Sequence, residues 1–77
     1  MKDLLISIVQ GLVNEPNAVS VEVDEPNEDG VVVYHLHVAE GDMGRVIGKQ
    51  GRIAKAIRIV MRAAANRNET RISVEID

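Results

Sequence analysis

The chain has 77 residues, of which 45% are hydrophobic and 27% charged, and it contains no cysteine. This length predicts one domain, residues 1–77, with a small core. The lack of cysteine excludes disulfides and thiolate metal sites. The apolar run LLISIVQGLV is too short to span a membrane and has no signal-peptide features, so we expect a cytoplasmic protein.

Charge is divided unevenly along the chain. Residues 1–44 carry nine acidic residues and one basic residue, a net charge of −8, whereas residues 45–71 carry eight basic residues and one acidic residue, a net charge of +7. Although the whole chain has a net charge of −3, a clustered basic patch indicates an anionic partner such as nucleic acid. An ordinary solvated face is the alternative.

Helical spacing of apolar residues predicts a first helix from Leu4 to Val13, with a possible cap at Asp3 and a stop before Pro16. Its apolar residues span an arc of about 200°, wider than one buried stripe needs. They are Leu4, Leu5, Ile6, Ile8, Val9, Leu12 and Val13. Some of them should therefore remain exposed and could form an interface.

Alternating apolar residues predict three strands, near residues 19–23, 32–38 and 72–76. The segment EPNEDG, residues 25–30, is rich in turn-forming residues and should join the first two strands as an antiparallel hairpin. The third strand returns only after a long crossover, so it should lie parallel to the second.

Two helices should fill that crossover. Asp42 is placed to cap a short helix over residues 43–47, and a long helix should follow over residues 51–65. The order α-β-β-α-α-β predicts an α+β domain, with a three-stranded mixed sheet covered on one face by helices.

The long helix is amphipathic. Its predicted apolar arc comprises Ile53, Ala56, Ile57, Val60 and Ala64, with Met61 toward its edge. The opposite arc comprises Arg52, Lys55, Arg58 and Arg62, with Ile59 among them. No acidic residue occurs from Arg45 to Asn68, so the positive charges on this face of the helix repel one another. This repulsion favours an anionic partner over an ordinary solvated helix.

Glycines are concentrated in GDMGRVIGKQGR, residues 41–52. The segment is neither a P-loop nor a dinucleotide fingerprint, because the required glycine spacing and the Ser or Thr after Lys49 are missing. It contains GxxG twice. The first copy, residues 41–44, should be a strand exit and helix start, with glycines tolerated or needed for packing. The second, residues 48–51, would let a phosphodiester backbone approach closely beside the start of a helix.

The segment VIGKQGRIAKAI, Val46 to Ile57, resembles the signature of KH domains, which clamp about four nucleotides. The element order resembles the type II KH topology. The resemblance covers essentially the whole chain and is strongest to the small single-KH bacterial RNA-binding proteins of the KhpA type.

This resemblance implies that single-stranded RNA lies between the short helix and GxxG loop on one side and a sheet edge on the other. The implied RNA-binding residues are Gly48, Lys49, Gln50, Gly51 and Arg52 at the loop, Arg45 and Lys55 beside it, and Ile47 and Ile53 in the groove floor. Tyr34 is the only aromatic residue, which argues against a base-stacking platform.

Neither catalysis nor a resident cofactor is expected, because no base lies beside a candidate nucleophile. His35 and His37 share a strand face but lack a third metal ligand, so we expect a solvent-exposed sheet face there. The resemblance implies an RNA chaperone or adaptor with roles in cell shape, division and cell wall biogenesis. It also implies a homodimer, or a heterodimer with a KhpB (Jag)-type KH protein. The alternative function is a protein-interaction module that meets an acidic partner.

Overall fold

A computed structural model describes residues 1–76 of the chain. The three helices are α1 (Lys2–Gln10), α2 (Met43–Ile47) and α3 (Arg52–Arg67), and the three strands are β1 (Ser20–Val23), β2 (Val31–His37) and β3 (Arg71–Ile76). The predicted order α-β-β-α-α-β is confirmed. None of the helices in this described part is long and apolar enough to cross a membrane.

The sheet has the strand order β1-β2-β3, with β1 antiparallel and β3 parallel to β2, as predicted. The turn between β1 and β2 is fixed by Asn27, whose side-chain oxygen accepts hydrogen bonds from the backbone N–H groups of Asp29 and Val31. Gly30 closes this turn with a positive φ of 77°. The mixed α+β fold is thus built from a local hairpin and one two-helix crossover.

The core lies between the helices and one face of the sheet. Tyr34 and Leu36 point into it from β2, and Val74 from β3. Its fully buried large side chains are Leu5, Val9, Leu36, Val46 and Met61. Each element thus contributes apolar residues at the spacing of its own secondary structure.

The first helix differs from the prediction at both ends. It ends at Gln10, so Leu12 lies in the turn that follows the helix and Val13 lies beyond that turn. Asp3 lies inside its first turn, because Met1 occupies the cap position and no side chain caps the helix. The helical spacing of apolar residues continues past Gly11 in the sequence, although the chain leaves the helix at that residue.

The apolar arc predicted for α3 is only partly correct: Ile57 is buried and Ile53 and Ala64 are half-buried, but Ala56 and Val60 are exposed. The helix buries Ala54, Ile57, Met61 and Ala65. Val60 and Ile59 are 48% and 55% exposed. Apolar residues cover more of the α3 surface than one buried stripe needs. The face that contains the small residues Ala54 and Ala65 packs on the sheet, because small side chains allow a close approach. We call the exposed residues Ala56, Ile59, Val60 and Ala63 the α3 apolar stripe.

Candidate nucleic-acid interface

The turn between α2 and α3 has an unusual backbone. Three of the four residues from 48 to 51 have a positive φ: Gly48 at 75°, Gln50 at 58° and Gly51 at 73°. Two backbone hydrogen bonds tighten the turn, from Gly48 N to the Gly44 carbonyl at 2.9 Å and from Gly51 N to the Gly48 carbonyl at 3.2 Å. The chain therefore passes from one helix to the next within residues 48–51, which we call the GKQG loop.

The two glycines of the GKQG loop are favoured for different reasons. A Cβ atom at Gly48 would lie 2.3 Å from Cγ1 of Ile53 and 2.9 Å from its backbone nitrogen. A Cβ atom at Gly51 would meet nothing within 4 Å, and only its left-handed backbone disfavours a side chain. The loop is consequently packed against Ile53 at one end and open at the other.

The tip of the loop is exposed and positively charged. Lys49, Gln50 and Arg52 are all exposed. Nη2 of Arg52 donates to the side-chain oxygen of Gln50 at 3.4 Å. Within residues 1–76, no carboxylate pairs with Lys49 or Arg52. Both charges are therefore available to an anionic ligand.

The amino end of α3 faces the same loop. Gly51 occupies its cap position, and no side chain caps the first N–H groups of this 16-residue helix. Uncapped amides and the positive end of the helix dipole attract phosphate. The GKQG loop thus combines backbone donors with the side-chain cations of Lys49 and Arg52.

The flanking residues named from the sequence have different environments. Lys55 is exposed one turn into α3. Ile47 is 39% exposed beside the loop, and Ile53 is half-buried against the core. These three residues surround the loop closely enough in sequence and space to extend a binding surface, but only Ile47 offers a large exposed apolar side chain.

Arg45 is held by neighbours that sequence reasoning did not find. Its Nε lies 3.8 Å from Oδ1 of Asp42. With the Asn14 amide oriented so that its oxygen faces Arg45, that oxygen accepts hydrogen bonds of 3.2 and 3.3 Å from the guanidinium. The side chain of Arg45 is 56% exposed, so it can still contact solvent or a ligand.

Asp42 does not cap α2 with its side chain, which corrects the expectation from the sequence. Its carboxylate is 2% exposed and accepts hydrogen bonds from the backbone N–H groups of Asn14 and Glu15, at 3.1 and 3.0 Å. These donors are 27 and 28 residues away in the chain, so no local pattern could reveal them. Asp42 joins the segment after α1 to the start of α2.

The face of the sheet away from the helices is acidic. The strand register aligns Glu22, His35 and Glu75 in one row. His35 contacts carboxylates through both ring nitrogens, with Nε2 2.8 Å from Asp24 and Nδ1 3.5 Å from Glu75. In the described residues no three potential ligands are grouped to hold a metal ion. The negative and positive surfaces therefore lie on different sides of the domain.

The topology, with a GxxG loop between two consecutive helices, defines a KH domain. Two solved structures of Era have the same fold: an Aquifex aeolicus variant bound to GDP and AlF4− (TM-score 0.66) and Era with MgGDPNP and nucleotides 1506–1542 of 16S ribosomal RNA (TM-score 0.69). Each alignment has 19% identity and covers 97% of this chain but only 28% of the Era chain. These neighbours support the fold.

Sequence comparison identifies the family. The family model described as "KhpA/KhpB, KH domain" matches residues 2–76, and the chain belongs to this family. Proteins named RNA-binding protein KhpA are 50% identical in Clostridium acetobutylicum and 47% in Listeria monocytogenes. These matches cover 99% of this chain and 99% and 97% of the relatives. The relatives are named for RNA binding and not for a catalysed reaction, in agreement with the non-enzymatic function expected from the sequence.

Proposed function

We propose that this protein binds single-stranded RNA at the GKQG loop and the adjoining basic residues of α3. The observation that carries this proposal is the exposed turn that presents Lys49 and Gln50 directly before the uncapped amino end of α3. The names of the KhpA relatives and the RNA-bound Era neighbour support the same function. Arg45, Arg52 and Lys55 would add phosphate contacts, with Ile47 and Ile53 beneath the bases.

Salt dependence and strand preference test this proposal. About three or four phosphate contacts to a single strand predict a slope of log K against log salt of roughly −2 to −3. Fluorescence anisotropy with a labelled octanucleotide should show this slope, and blunt duplex RNA of the same sequence should bind more weakly. A flat salt response or a preference for duplex would contradict the proposed groove.

The competing function is a protein-interaction module whose basic surface meets an acidic partner. RNA competition separates the two functions, because both would depend on salt. If the RNA site is correct, unlabelled single-stranded RNA should displace any acidic protein captured through α3. If excess RNA does not displace the captured acidic protein, the result would favour the competing function.

We also propose that the protein self-associates through the α3 apolar stripe. Ile59 and Val60 are the most exposed large apolar side chains of the described residues, and a KH module that grips about four nucleotides gains avidity from a second linked site. In sedimentation equilibrium, the average mass should rise from that of a monomer toward that of a dimer as the protein concentration is raised to hundreds of micromolar. The double variant Ile59→Gln with Val60→Gln should be monomeric, whereas the control Val23→Gln, at a valine 43% exposed on β1, should still dimerise.

A heterodimer with a KhpB (Jag)-type protein would use the same stripe and is the alternative outcome of that experiment. It would appear as a monomer of constant mass that becomes a dimer only when the second protein is added. We further propose that the protein acts in the cytoplasm as an RNA chaperone or adaptor, with effects on cell shape, division and cell wall biogenesis. Deletion of the gene, followed by complementation with either the wild-type protein or the double variant Lys49→Asp with Gln50→Asp, would test those cellular roles.

A further inference from the structure

The free edge of the sheet is bordered by basic side chains. Within residues 1–76, β3 pairs only with β2, so alternate backbone groups of β3 face away from the sheet without a strand partner there. α3 packs beside this strand. Lys55 and Arg62 lie one helical turn before and after Arg58, and Arg58 itself reaches the strand. RNA that leaves the GKQG loop along these cations would therefore pass the edge of β3.

Arg58 is fixed against that edge by a hydrogen bond. Its Nε donates to the backbone carbonyl of Val74 at 3.1 Å, in a partly buried position. Arg58 lies six residues after Arg52, which places it about 9 Å farther along the helix axis. The contact restricts a long, flexible side chain, so the guanidinium is oriented before any ligand binds.

The hydrogen bond leaves the outer part of the guanidinium free. Arginine has five N–H donors in a planar fork and no acceptor, and Nε supplies only one of them. Within the described residues, no carboxylate pairs with Arg58. A fixed fork of donors without an acidic partner is suited to a ligand with two adjacent acceptors.

The same contact uses one of the two lone pairs of an acceptor at the strand edge. The Val74 carbonyl is occupied by Arg58, so it is less available to the amino group of adenine. Guanine presents O6 and N7 as two adjacent acceptors, and arginine binds this pair in a bidentate manner. We propose that Arg58 selects guanine over adenine at the nucleotide that faces Val74. This inference rests on the proposed RNA-binding function and adds a base preference to it.

The test compares two fluorescein-labelled uridine octanucleotides that carry a single central guanine or adenine. The wild-type protein should bind the guanine octamer about tenfold more tightly. Arg58→Lys keeps the positive charge but loses the fork, so its preference should fall below about twofold. The matched control Arg67→Lys, at the carboxyl end of α3 away from the GKQG loop, should keep the tenfold preference.

The outcomes separate this inference from the proposed function. Failure of the wild-type protein to bind either octamer would contradict RNA binding itself. Equal binding of both octamers by the wild-type protein, or an unchanged guanine preference in Arg58→Lys, would overturn only the role of Arg58. If Arg58→Lys does not give a cooperative thermal transition, Arg58→Gln replaces it, because its amide can still donate to the Val74 carbonyl while it lacks the fork.

Discussion

The two GxxG segments have the same glycine spacing and different structures. In the first, residues 41–44, neither glycine has a positive φ and a Cβ atom at either would meet nothing within 4 Å. In the second, residues 48–51, both glycines have a positive φ and Gly48 has no room for a side chain. Only the second segment therefore favours glycine at both positions, and only Gly48 excludes a side chain by steric contact.

The residues between the glycines differ as well. Asp42 in the first segment is buried and binds backbone N–H groups of a distant part of the chain. Lys49 and Gln50 in the second segment are exposed, and their charge and amide face solvent. The first segment holds the fold together and the second presents a surface, so GxxG spacing acquires a function only from the backbone and neighbours around it.

The largest expected effect is that of Gly48→Ala on stability. The added Cβ would have to displace Ile53 in a backbone conformation that alanine rarely adopts. We expect the free energy of unfolding to fall by about 3 kcal/mol, which is a large part of the stability of a small domain. Urea unfolding followed by circular dichroism measures this loss. A loss below about 1 kcal/mol would show that the loop can relax without glycine.

The second prediction concerns RNA binding and not stability. Lys49→Asp with Gln50→Asp places two acids at the exposed tip, where they repel phosphate but disturb no packing. We expect RNA binding to be lost while the unfolding midpoint stays within a few degrees. The matched control is Arg67→Asp with Asn68→Asp, which changes the net charge by the same amount at the far end of α3. RNA affinity that survives the loop change, or falls equally in the control, would contradict the loop assignment.

Much of this comparison could be predicted from the sequence, because the relevant interactions are local. The apolar spacing predicted the order of the elements, and the length of the crossover predicted that β3 lies parallel to β2. The turn between Val46 and Ile53 was recognisable because glycine, lysine and flanking isoleucines occur together. Local backbone preference and hydrophobic pattern agree in these regions.

The remaining features depend on contacts between distant parts of the chain. The hydrogen bonds of Asp42 to Asn14 and Glu15, and of Arg58 to Val74, have no signature in sequence spacing. The buried line of α3 is also predicted only in part, since hydrophobicity alone does not decide between Val60 and Met61. Packing against the sheet determines which of the two side chains is buried, and it is Met61 that is fully buried.

Gly51→Ala should have an intermediate effect. Its Cβ would meet open space, so the cost comes from the left-handed backbone and should be about 1 kcal/mol. Gly51→Asn is the control, because asparagine adopts this conformation more readily and should cost less. Thermal unfolding of both variants measures the difference. If both lose as much stability as Gly48→Ala, steric contacts would be limiting at this position as well.

The smallest expected effect is that of Gly44→Ala, the corresponding last glycine of the first segment. Gly44 lies within α2 without a positive φ, and open space surrounds its missing side chain. Alanine should stabilise the helix by about 0.5 kcal/mol, and RNA affinity should stay within twofold. Urea unfolding and octanucleotide binding, measured beside Gly51→Ala, provide the comparison. If Gly44→Ala folds normally but weakens RNA binding as much as the loop variants do, RNA must approach the α2 backbone closely. The two GxxG segments would then share one binding surface, and the division between a structural and a ligand-facing copy would be wrong.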